Sequence, residues 1–138
     1  MMIRLPHVRR LILIATALDA VAILFWAGLE DTNIAPVAAL GAITAALAFG
    51  HALLARSRSG AFKAGERFVW MILGGACAGM GAALCAILLM AIKVSLHSHN
   101  YPDYSPTAVI GLFTRAPQWG LAGLLIGLGL ALVGFARR

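Results

Sequence analysis

Charge is what this chain has least of: only 12% of its 138 residues are Asp, Glu, Lys or Arg, and five of them are acidic. A soluble domain carries about a quarter charged residues, so too little polar surface exists to cover a water-facing exterior. Cysteine is also scarce, with two residues, which excludes a disulfide-stapled secreted scaffold. No G-x-S-x-G, HExxH, CxxC or phosphate-cradling P-loop occurs, and the apolar runs hold a single acidic residue, Asp19. An enzyme is therefore not expected.

What is present is hydrophobic. Apolar residues make up 62% of the chain and the mean hydropathy is +0.92. Hydrocarbon about 30 Å thick needs about 20 apolar residues per helix. Four runs of that order stand between charges, at 11–29, 34–55, 69–92 and 119–135. Without water to satisfy the backbone, such runs must be helical, and none shows the alternation of a barrel strand. The expected fold is an all-α integral membrane four-helix bundle forming a single domain over 1–138.

Eleven Lys and Arg against five acids would suggest nucleic acid in a soluble protein. Here the excess reads as topology. With the N-terminus inside, Arg4, Arg9, Arg10, Arg56, Arg58, Lys63, Arg67, Arg137 and Arg138 are cytoplasmic, and only Lys93 and Arg115 lie outside. Both termini are thus expected in the cytoplasm of a bacterial-type inner membrane, with the basic loop on lipid headgroups and no nucleic-acid partner. The N-terminal segment resembles a secretory signal in outline, but its long apolar run carries Asp19 and lacks a cleavage site, so it reads as an uncleaved first span. Aromatic residues gather near the span ends: Trp26, Tyr101, Tyr104 and Trp119 on one side, Phe62, Phe68 and Trp70 on the other.

The connector after Lys93 is the most individual stretch. Ser105 then Pro106 is a cap followed by a first-turn proline, and the apolar spacing beyond predicts a short interfacial helix over 106–116, stopped by Pro117. Within the spans, small residues recur at helical spacing: Ala38, Ala42, Ala46 and Gly50, then Gly75 and Gly79, then Gly123 and Gly127. Because lipid is as apolar as leucine, such residues let helix backbones approach, and they are the expected packing positions, within the bundle or toward other membrane subunits or a second copy.

Few residues carry chemistry. Asp19 sits roughly 13 Å into the membrane, counting from Arg10, with Thr44 at similar depth. An intramembrane carboxyl suggests an ion or proton path; the plainer alternative is a protonated group hydrogen-bonded to Thr16 or Thr44. His51, flanked by Ala48, Gly50 and Ala52, is a candidate axial ligand to haem or a chlorin, against a histidine snorkelling to the interface. His97, His99 and Asp103 have ligand types suited to zinc or copper. Cys77 and Cys85 lie about 12 Å apart along one helix, too far to pair, and read as small buried apolar residues. Function divides three ways: an accessory or scaffold subunit of a larger membrane complex first, a small oligomeric transporter or channel with Asp19 in its path second, a pigment- or haem-ligating subunit third.

Overall fold

The computed structural model describes residues 5–30, 32–58, 64–97 and 103–136. These form four helices, α1 (Leu5–Ala27), α2 (Ile34–Arg58), α3 (Ala64–Leu96) and α4 (Pro106–Ala136), with no strand among the described residues. Each is long and apolar enough to cross a membrane. The chain is accordingly a multi-pass, all-helical membrane protein. Leucine, isoleucine, valine and phenylalanine stand exposed along every helix, which in this setting is the face that meets lipid.

The helix starts follow local chemistry. Asn33 Oδ1 accepts from the Ala35 amide at 3.0 Å ahead of α2. Ser105 does the same for α4, its Oγ receiving the Ala108 amide at 3.2 Å, and Pro106 takes the first turn where an N–H has no partner to lose. The helix begun there does not stop at Pro117. Residues 106–116, expected as a separate interfacial helix, are instead the first part of α4, which runs through Pro117 to Ala136. A proline removes one backbone bond and crowds the preceding turn, yet a membrane helix with neighbours tolerates this. At 31 and 33 residues, α4 and α3 measure about 46 and 50 Å, longer than the hydrocarbon alone requires.

Helix α3 is the centre of the assembly, with one small-residue face for each of two neighbours. Toward α4 it presents Gly75 and Gly79. A side chain at Gly75 would strike the Gly123 carbonyl, one at Gly79 the Trp119 carbonyl, one at Gly123 the Gly75 carbonyl, and one at Gly127 the Met71 carbonyl. The four glycines therefore meet as backbone on backbone, in antiparallel register. Toward α2, α3 presents Ala82 and Ala86; a Cβ at Gly41 would lie 2.6 Å from the Ala82 carbonyl oxygen and from the Ala86 amide nitrogen. Gly74 likewise makes room for the Phe49 ring.

On α2 the face turned to the core carries Val37, Leu40, Gly41 and Ala45, one position removed from much of the expected row. Ala38 packs against the core cluster and Gly50 against Ile12, but Ala42 and Ala46 are exposed. Helix α1 lies along α2 and is the least embedded of the four. Antiparallel neighbours bring the start of α1, the end of α4 and the α2/α3 connection to one end of the bundle. At the other end Trp26, Met90, Tyr104 and Leu112 join a buried cluster with Val37, Leu40, Ala86 and Leu89.

Because the α3/α4 seat consists of backbone atoms that cannot rotate away, Gly79→Leu is expected to cost about 3 kcal/mol or more. Gly129→Leu, on the same helix pair but with open space at its Cβ, is expected to stay within about 0.5 kcal/mol. Detergent-unfolding titrations of the two variants against the parent check the contrast.

Candidate functional site

Two polar groupings occupy the seam where α1 meets its neighbours, separated along the membrane normal. The deeper one joins α1 to α2. Asp19 is 8% exposed, and its Oδ2 accepts a 2.9 Å hydrogen bond from the Thr44 hydroxyl. Its Oδ1 is buried without a partner. One turn away on the same face of α1, Thr16 Oγ1 lies 2.9 Å from His51 Nε2 and 2.8 Å from the Ile12 carbonyl oxygen. A hydroxyl has one proton, and Thr16 donates it to Ile12. With that proton directed to Ile12, the His51 bond runs from Nε2–H to Thr16.

That assignment bears on the haem or chlorin expectation for His51. The Nε2 nitrogen is engaged with Thr16, so axial ligation through it would require breaking that bond. Between the two bonds Asp19 takes Thr44, leaving Thr16 to His51. Cys85 on α3 lies within electrostatic reach of Asp19, so the carboxyl faces a place where three helices meet. Both cysteines are free, and Cys77 is exposed on the lipid-facing side rather than buried.

The second grouping closes the far end of the seam and was not foreseen. Lys93, one residue past the expected end of the third span, lies within α3 and is 1% exposed, with its Nζ 4.7 Å from the Trp26 ring centre and 5.9 Å from that of Tyr104. Trp26 and Tyr104, expected at headgroup level, are 4% and 5% exposed and serve as walls around this ammonium. A desolvated cation over an indole gains about 2 kcal/mol, and a cation in the last turn of α3 also meets the negative end of the helix dipole. The sequence signal available was the presence of Trp26 at the end of one apolar run and Lys93 at the end of another, in spans that run parallel.

Beside this cap, His97 Nδ1 and Asp103 Oδ2 lie 2.9 Å apart, bracing the connector between α3 and α4. Of the candidate metal ligands, His97 and Asp103 are thus brought together, while His99 lies outside the described residues, as do Tyr101 and Phe62. Among the described residues no three His, Cys, Asp or Glu side chains group as a metal site. No protein-family model, curated protein or solved structure matches this chain.

The rings around Lys93 supply a direct readout. In a chain carrying Trp70→Phe and Trp119→Phe, Trp26 is the one tryptophan, excited selectively over the two tyrosines, and acrylamide is expected to quench it weakly. Lys93→Ala should open the cap, raise the quenching constant, and lower stability by about 2 kcal/mol or more. Stern–Volmer plots and unfolding titrations of the pair measure both effects.

Proposed function

We propose that this chain is a small, non-catalytic, multi-pass membrane protein that takes up and releases a proton at Asp19, as the proton-handling unit of an oligomeric transporter or channel. The observation that carries the reading is the buried Oδ1 of Asp19, an acceptor with no partner, on a carboxyl whose other oxygen is held by Thr44. An ionised carboxylate in hydrocarbon is costly, so a site of this kind takes a proton or another cation when it is closed. His51 and Thr16 continue the polar line toward the end of the bundle that carries the α2/α3 connection. On the opposite side Ile23 and the Trp26–Lys93 cap close the seam. The line is therefore open toward one membrane face, and α1, the least embedded helix, is the element whose displacement would expose Asp19 to the other. Nine of the eleven basic residues fall near the two chain ends and at the facing ends of α2 and α3, which favours placing that side of the bundle in the cytoplasm of a bacterial-type inner membrane.

A second reading, an accessory subunit that docks other membrane helices or a further copy of itself, has its own support. Ala35, Ala39, Ala42 and Ala46 share one exposed face of α2, the same kind of surface that seats α3 on that helix's other side. The two readings are compatible, since a proton path through one protomer of this size calls for neighbours.

Reconstituted into liposomes with an entrapped pH dye, the parent chain is expected to dissipate an imposed proton gradient. Asp19→Asn keeps an acceptor for the Thr44 hydroxyl but cannot ionise, and should lower the flux about tenfold or more, with Thr44→Val falling between the two. Parent-like flux through a well-folded Asp19→Asn variant would overturn the proposal. A parent with no flux, recovered with a stoichiometric membrane partner, would leave the accessory reading in its place.

A further inference from the structure

At the end of the bundle away from Lys93, the start of α3 and the end of α4 diverge and leave an open cleft of about 550 Å³. Its walls are Phe68 and Met71 on α3 and Ala131, Leu132 and Phe135 on α4, with Arg67 at the rim. Gly65 and Gly134 line it, and at each of them a Cβ would meet nothing within 4 Å. At Gly75, Gly79, Gly123 and Gly127 glycine brings backbones together; here it leaves space.

We propose that this cleft binds an anionic phospholipid, with an acyl chain between Phe68 and Phe135 and the phosphate at Arg67. The lining is apolar, it opens on the lipid-facing side of the bundle, and it lies where α3 and α4 leave the hydrocarbon, which is the level of a headgroup phosphate. Charge selects the headgroup. Arg67 is exposed and makes no hydrogen bond or ion pair with another described residue, whereas nearby Arg56 is already stacked 4.7 Å from the Trp70 ring centre. The first turn of α3 adds the positive end of its dipole on the same side, offset in part by Glu66 beside Arg67. A zwitterionic lipid offers Arg67 the same phosphate but carries its own cation, so the site favours the anionic headgroup. This inference does not rest on the reading of Asp19.

The test is native mass spectrometry of the delipidated full chain with phosphatidylglycerol and phosphatidylcholine added in equal amounts. One phosphatidylglycerol per chain is expected to survive at collision energies that strip phosphatidylcholine. Arg67→Gln should lower its retention about fivefold, the effect of one basic side chain at a membrane surface. Gly134→Leu should fill the cleft and abolish retention, while Gly129→Leu, equally open but outside the cleft, should leave it unchanged. Thermal unfolding of each variant separates a filled cleft from a damaged fold, and Arg67→Gln tests the site even if Gly134→Leu is unstable. Equal retention of both lipids, or loss of phosphatidylglycerol to competing glycerophosphoglycerol, which has the headgroup without chains, would overturn the proposal.

Discussion

Everything in this molecule hangs on how α3 is seated. A helix in lipid gains little from burying leucine, because the lipid it leaves is as apolar as the protein it meets. What remains is close van der Waals contact, which requires side chains small enough for backbones to touch. Gly75 and Gly79 against Gly123 and Gly127, and Ala82 and Ala86 against Gly41, provide that contact on two faces of one helix. The position of Lys93 under its rings and the divergence of α3 from α4 at the cleft both follow from this rigid centre. Neither would persist if α3 could slide.

Helix α1 is attached by a different principle. It has no glycine in contact with its neighbours; the close fit on that side is Gly50 of α2 against Ile12. Its specific links are the Asp19–Thr44 and Thr16–His51 hydrogen bonds and, at its far end, the buried Trp26 ring beside Lys93. Hydrogen bonds between membrane helices average about 0.6 kcal/mol, so these two set the register of α1 while Trp26 anchors its end in the core.

Legibility in the sequence tracks the range of the interaction. The four apolar runs, the Ser105–Pro106 helix start and the four packing glycines are governed by local composition and spacing, and they stand in the structure where the spacing put them. Depth counting was enough to set Thr44 level with Asp19, because two antiparallel helices joined by a short connector have little freedom of register. Which threonine Asp19 would take, and that His51 would spend Nε2 on Thr16, depended on helix rotation, which spacing does not fix. Pro117 read as a stop because the local rule for proline is a soluble-helix rule, and a long helix packed on α3 overrides it. Lys93 was the largest miss. A basic residue at the end of an apolar run has the same sequence signature whether it snorkels to water or turns inward under two rings contributed by α1 and by the start of α4.

The two buried charged residues show why their solutions differ. Lys93 packs beside Trp26, which stands about two helical turns from Asp19 along α1, so the two groups sit at different levels of the bundle and in different surroundings. Lys93 sits at a helix C-terminus among ring faces, an environment that stabilises a fixed positive charge and offers no proton acceptor from Trp26. Asp19 sits in mid-helix with one hydroxyl donor and one vacant oxygen, an environment that satisfies a neutral carboxyl nearly completely and an anion only in part. The two sites thus differ in what surrounds the polar group: ring faces and a helix C-terminus at Lys93, and at Asp19 one hydroxyl donor with the second carboxyl oxygen left without a partner among the described residues.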